Sequence, residues 1–292
     1  MLFLDLFLNA VATGLVEGSI YALLSVGLAV TFGILHIPNL AHPTLVIVGA
    51  YFAHLMNAWG FDPIVGSVPG AILFYGGGLL IYEFYLRIFE KRGRQNTLQS
   101  LTLFFGLSLV IEICLLIYFG ADPRSVDVSY VGRSLSIGLL VMPYRLLIPA
   151  MAGSIVVIGL WLYLEYSRTG LAMRAVAHDE LAISIAGIDP IRVKRHAFGI
   201  ATATCAIAGA ALIVVGPVNP FAGRLEIGRV FAIVVLAGMG SIPGTLAAGF
   251  LIGIAESLVS SFVNPSWAQG IAFFVLLLTL ALRPTGLFGV AR

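Results

Sequence analysis

Three carboxylates stand where this chain can least tolerate them. Glu17 lies in ATGLVEGSIYALLSVG, Glu112 in LVIEICLL and Glu256 in GIAESLVSS, each within a run of apolar residues. A carboxylate in such a run is costly unless it pairs, takes up a proton or meets a polar ligand. Glu17 is flanked by Gly14, Gly18 and Ser19, small residues that allow close helix approach, and reads either as lining a pathway or as a buried helix-to-helix bond. Glu112 and Glu256 read as structural contacts near a membrane surface.

A second polar interruption falls in GILHIPNLAHPTLVIVGAY, residues 33–51, where Pro38, Asn39, His42 and Pro43 separate two apolar runs. The prolines remove backbone donors and break the helix. A third lies in RVFAIVVLAGMGSIPGTLAAGFLIGIAESL, where Gly238, Gly240, Pro243 and Gly244 join two short apolar halves. AHPTLVIVGAY can be laid over SIPGTLAAGF, sharing a proline, a Thr-Leu pair and a following glycine. Unwound backbone at membrane depth is tolerated where it lines a cavity, and interrupted segments in two halves of a chain point to a transport path. The same pattern also describes tight turns between packed helices. On the first reading the path is assigned Glu17, Ser19, Tyr21, Asn39 and His42 in one half and Gly240, Ser241 and Thr245 in the other.

The longest polar stretch is SRTGLAMRAVAHDELAISIAGIDPIRVKR, residues 167–195. Leu171, Ala175, Ala182 and Ile185 alternate with Arg174, His178, Asp179 and Glu180 at helical spacing, which predicts a short, weakly amphipathic helix over 171–186. Gly170 and Gly187 permit sharp entry and exit, and Asp189-Pro190 forces a turn. Such a helix either rests on lipid headgroups or docks a soluble partner.

The rest of the chain must position these residues, and it is membrane-grade. Of 292 residues 60% are hydrophobic and 10% charged, against about 25% charged in a soluble domain. Apolar windows near 6–30, 44–59, 64–86, 98–119, 146–166, 196–215, 229–262 and 267–282 predict an all-α polytopic bundle of about eight spans with broken or re-entrant segments. The chain reads as a single transmembrane domain over 1–292, with 167–195 as a loop within it. The first window lacks the basic region of a signal peptide and is kept as structure. Arg87, Lys91, Arg92 and Arg94 form one basic cluster, Arg168, Arg174, Arg192, Lys194 and Arg195 another, and Arg283 and Arg292 close the chain. These clusters place 87–94 and 167–195 in the cytoplasm and the N-terminus outside. Only three windows then remain before Arg283, so a cytoplasmic C-terminus requires 229–262 to turn back.

Several chemistries are excluded. No GxxxxGK[ST], HExxH, CxxC pair or GxSxG occurs, and the only lysines are Lys91 and Lys194, so no P-loop, metal site, cofactor or self-contained enzyme is expected. Cys114 and Cys205 sit in apolar windows and are read as small hydrophobes. The net charge of +2 says little about partners, and no nucleic-acid partner is expected.

The order of features resembles the permease subunits of branched-chain amino acid ABC transporters, the LivH type. The matching stretches are GSIYALLSVGLAVTFGI, NLAHPTLVIVGAY, YSRTGLAMRAVAHDELAISIAGID, VLAGMGSIPGTLAAGFLIGIAESL and LRPTGLFG. The resemblance implies a subunit of an ATP-driven importer in an inner or plasma membrane. Its partners would be a second, similar permease, two cytoplasmic ATP-binding subunits and an extracytoplasmic solute-binding protein, with ATP hydrolysis outside this chain. It also implies that Arg168, Gly170, Arg174, Ala175, Asp179, Ala182, Gly187 and Ile188 form the ATPase docking surface. Two departures concern the solute: relatives usually carry N-x-A-H-G where this chain has Pro43 after His42, and an uncharged residue is common at Glu17. Branched-chain amino acids lead, while urea, short amides and aromatic acids are carried by similar importers. A proton-coupled carrier using Glu17, or a membrane scaffold without transport, would need none of these partners.

Overall fold

In lipid every backbone N–H and C=O must be satisfied within its own segment, which selects helices for a chain this apolar. The computed structural model describes residues 2–88, 97–138, 140–238, 240–283 and 286–288; Lys91, Arg92, Arg94 and Arg292 of the basic clusters lie outside the described residues. The order is α1 (Leu2–Leu35), α2 (His42–Ala58), α3 (Pro63–Ile88), α4 (Thr97–Phe119), a hairpin of β1 (Ser134–Ile137) and β2 (Leu140–Pro143), α5 (Tyr144–Tyr166), α6 (Arg168–His178), α7 (Glu180–Ile185), α8 (Pro190–Val215), α9 (Ala222–Ala237), α10 (Ile242–Phe262) and α11 (Pro265–Leu282). Seven helices among the described residues are long and apolar enough to cross a membrane: α1, α3, α4, α5, α8, α10 and α11. The chain is an all-α polytopic membrane protein.

Helix starts follow local chemistry. Proline occupies the first turn of α2, α8, α10 and α11, where its missing N–H leaves no bond unmade. Asp189, Ser241 and Asn264 cap α8, α10 and α11, accepting from Ile191 N at 3.0 Å, Gly244 N at 3.1 Å and Ser266 N at 2.8 Å.

The core is built on α1 and α10, which run antiparallel. A Cβ at Gly18 would lie 2.6 Å from Gly249 O, and one at Gly14 would lie 2.5 Å from Ile254 Cα, so these glycines set the approach. Around that pair, α8 packs on α1, α2 and α3, burying Leu23, Leu28, Phe198 and Ile213. The outer faces of α3, α4, α5 and α11 expose Ile72, Leu80, Ile117, Ile155 and Leu277, a surface that suits hydrocarbon.

The two ends of the bundle differ in charge. At one end Asn9 Oδ1 accepts from Val141 N of the hairpin at 3.0 Å, and Asn57 at the end of α2 exchanges hydrogen bonds with the backbone of Asp127 in the segment between α4 and β1. At the other, Arg195 reaches Glu83 at 3.5 Å, and Arg168, Arg174, Arg192 and Lys194 follow. The second end is the cytoplasmic one by the basic-residue rule.

The 229–262 window divides into two antiparallel helices. α9 ends at Gly238, and α10 starts after Gly240, whose φ of +89° suits a glycine. Leu287 N and Phe288 N then donate to Leu236 O and Ala237 O at 2.8 and 3.2 Å. The chain after residue 195 therefore runs through three crossing helices and the shorter α9, each reversing direction, and returns to the basic end. Two helices, α2 and α9, begin inside the bundle: His42 bonds Leu24 in the middle of α1, and Gly223 rests against Thr44.

The polar stretch departs from a single 171–186 helix. Ser167 accepts from Gly170 N at 2.9 Å and starts the helix at Arg168, so Gly170 is helical. Asp179 is extended and accepts from Leu181 N and Ala182 N at 2.8 and 3.1 Å, so it ends α6 and caps α7. The apolar residues of the stretch divide between two faces. Gly170, Met173 and Val176 are buried, whereas Leu171 is 60% and Ile185 80% exposed.

Candidate translocation site

Glu17 and Tyr21 lie one turn apart on α1 and face a cavity of about 350 Å³ shared with α9, α10 and α11. Arg229 of α9 and Glu256 of α10 complete its floor. Arg229 Nε donates to Glu256 Oε1 at 3.1 Å, its Nη1 donates to both Glu226 oxygens at 2.9 and 2.7 Å, and its guanidinium lies 4.5 Å from the Tyr21 ring centroid. The carboxylates satisfy the charge and the ring covers its face, as a guanidinium inside a bundle requires. Thr13, Ser260 and Ser261 line the wall, and Ser257 donates to Ala10 O at 2.7 Å, tying α10 to α1. Asn9 also lines the cavity, which places it toward the hairpin end, the outer half of the bundle.

The other residues assigned to the path lie elsewhere. Ser19 is buried beside α5 and donates to Leu15 O at 3.1 Å. Asn39 Oδ1 accepts from Ala41 N at 3.1 Å and shapes the turn into α2. His42 is fully enclosed. Its Nε2 donates to Leu24 O at 3.1 Å, and because a carbonyl only accepts, Nδ1 is left to receive the Cys205 thiol at 3.4 Å. Gly240 packs on Gly33, Ser241 caps α10, and Thr245 Oγ1 donates to Ser241 O at 2.9 Å. Of the eight positions, the structure brings only Glu17 and Tyr21 to one cavity.

Arg229 and the serines of α10 were not singled out in the sequence. The signal was present in part: Arg229 follows Glu226 by three residues, a helical ion-pair spacing. Glu256 is 3% exposed and pairs with Arg229 in the cavity floor, while Glu112 pairs with Arg224 at 2.8 Å.

On the cytoplasmic end, the residues assigned to docking divide into anchors and presented groups. A Cβ at Gly170 would lie 2.5 Å from Leu164 Cα, so this glycine seats α6 on the end of α5. Arg174 donates to Glu165 Oε2 at 2.7 Å and to Glu165 O at 2.9 Å, clasping the same joint. Buried Lys194 meets Glu180 at 2.6 Å and ties α7 to α8. Ala175 is half-buried. Arg168, Asp179, Ala182, Gly187 and Ile188 are exposed, with Gly187 at φ +82° closing α7.

Residues 10–280 match the family described as "Branched-chain amino acid transport system / permease component". The chain is 29% identical to the high-affinity branched-chain amino acid transport system permease protein LivH of Escherichia coli K12, over 97% of this chain and 96% of that protein. It is 28% identical to the permease protein BraD of Pseudomonas aeruginosa over the same shares. With the probable LivH permease of Methanocaldococcus jannaschii it shares 26% identity over 94% of this chain and 90% of that protein. No solved structure matches the chain.

Proposed function

The chain belongs to the family of branched-chain amino acid transport permease components, and from that premise we propose that it is one permease subunit of an ATP-driven importer for branched-chain or related amino acids. A second, similar permease would complete the path, two cytoplasmic ATPases would drive it, and an extracytoplasmic binding protein would deliver the solute. The relatives named for branched-chain amino acid transport support the solute class.

One observation carries the ATPase partnership. At the cytoplasmic end α6 and α7 present Leu171, Leu181 and Ile185 to the outside, and the turn after α7 presents Ile188, although both helices are held to the bundle by other residues. An apolar surface on polar, water-facing helices calls for a protein partner. ATP-driven closure of that partner would move α6, and through Arg174 and Gly170 the end of α5. The solute is then passed inward by the difference in affinity between the two states.

The test is co-purification of a P-loop ATPase with the tagged protein from native membranes. Loss of the ATPase when residues 171–186 are replaced by a Gly/Ser linker, or in the double variant Leu181→Asp and Ile185→Asp, is the expected result. Retention of the ATPase in both overturns the docking role. A proton-coupled carrier built on Glu17 has one observation in its favour, since no hydrogen bond or ion pair holds that carboxylate among the described residues. That reading requires uptake by this chain alone in vesicles without ATP.

A further inference from the structure

The cavity at the outer half of α1 holds more negative than positive charge, and its one cation is already engaged. Arg229 directs Nε to Glu256 and Nη1 to Glu226, and Tyr21 covers its face. Glu17 opens into the same space with no hydrogen bond or ion pair among the described residues. Glu17 and Glu256 line the cavity with Arg229, and Glu226, outside that lining, pairs with the same guanidinium, so the three carboxylates exceed the one cation by two charges when all are ionised. Inside an apolar bundle such an excess is costly unless a carboxylate takes up a proton or a counter-charge enters.

The geometry selects the kind of counter-charge. A carboxylate or phosphate entering the cavity would meet Glu17 and Glu256, with Nε and Nη1 of the guanidinium already donating to carboxylates. An ammonium is a compact cation with three donors and no acceptor, so it can bridge two carboxylates while its third N–H reaches a wall hydroxyl. Thr13, Ser260 and Ser261 supply those hydroxyls.

We propose that this cavity is the subsite for the ammonium group of the transported solute, with Glu17 and Glu256 as its acceptors and Arg229 as the positioning residue that holds Glu256. The inference rests on the import reading for the solute being an amino acid, and it narrows the solute class. Compounds with a primary ammonium are accepted; urea, short amides and carboxylic acids without an amine are not recognised here. The carboxylate of the solute is kept out of the cavity.

The experiment uses the reconstituted transporter with all its subunits. On a Cys114→Ser background, with Cys205 buried, Ser260→Cys places a thiol in the cavity wall. Relative to free cysteine, the cationic aminoethyl methanethiosulfonate should modify it at least about tenfold faster than the anionic sulfonatoethyl reagent, a ratio that focused charge readily gives. Glu17→Gln should bring the two rates together. Isoamylamine should slow the modification, and isocaproate, the same carbon skeleton bearing a carboxylate in place of the amine, should not. Equal rates for the two reagents with Glu17 intact, or equal protection by isocaproate, overturns the proposal. The competition arm needs no change at Glu17, so a misfolded Glu17→Gln protein does not silence the test. Uptake of labelled leucine by the unaltered assembly is measured alongside. Uptake without the cationic preference overturns the subsite alone, whereas the preference without uptake overturns the import reading alone.

Discussion

Two sets of polar side chains lie inside this bundle, and they are used differently. Asn39, His42, Ser241 and Thr245 stand at chain breaks; Asn39, Ser241 and Thr245 bond the backbone of their own turns, and His42 ties the start of α2 to Leu24 O in the middle of α1. Glu17, Tyr21, Arg229 and Glu256 stand in unbroken helices and meet across a cavity. The difference teaches that a break in an apolar chain marks where backbone must be satisfied, while a solute-sized polar space is made by charges whose partners lie on other helices. The first set is complete without a ligand; the second carries an excess of charge.

Four substitutions put that contrast to measurement in purified protein. Arg229→Leu leaves buried Glu256 and half-buried Glu226 without their cation and should lower stability by about 3–5 kcal/mol, read as the shift in chemical unfolding in micelles. An unfolding midpoint equal to that of the unaltered protein would show that the pair does not hold α9 on α10. His42→Ala removes the bond to Leu24 O and the thiol contact and should cost about 2 kcal/mol, with uptake per folded molecule unchanged; a loss of uptake beyond the loss of folded protein would place His42 in the path after all. Ser241→Ala deletes a helix cap, and about 1 kcal/mol is expected from the same measurement. Glu17→Gln removes a charge the cavity does not balance and should leave the unfolding midpoint equal or higher, yet reduce leucine uptake about tenfold, the loss expected from a charged hydrogen bond. Equal uptake in that variant would erase the distinction between the two sets.

The spans were legible because hydrocarbon imposes one rule on every residue of a crossing. Window 98–119 and α4 (Thr97–Phe119) differ by one residue, and the division of 229–262 followed from Gly238 and Gly240. Less legible were features that depend on contact between distant helices. Arg229 stands near the edge of its window and reads as a boundary residue, because nothing local says that Tyr21 and Glu256 come to it. The outward face of α6 and α7 was likewise hidden. Leu171 and Ile185 look like core by type, and only the seating of Gly170 against Leu164 decides which face turns inward. Asp179 did carry its signal, since an aspartate ahead of Glu180-Leu181 is an ordinary helix start; the continuous apolar spacing across it masked that start.

α1 has 34 residues, and at 1.5 Å per residue it is a rod of about 51 Å, well beyond the roughly 30 Å of hydrocarbon it crosses. It bears on the hairpin through Asn9, lines the cavity with Glu17, and touches α6 at its far end. The cytoplasmic helix α6 and the cavity in the outer half thus share a single stiff member with no joint between them. A push on α6 need not be relayed through loops, because tilting the rod at one end displaces the cavity wall at the other.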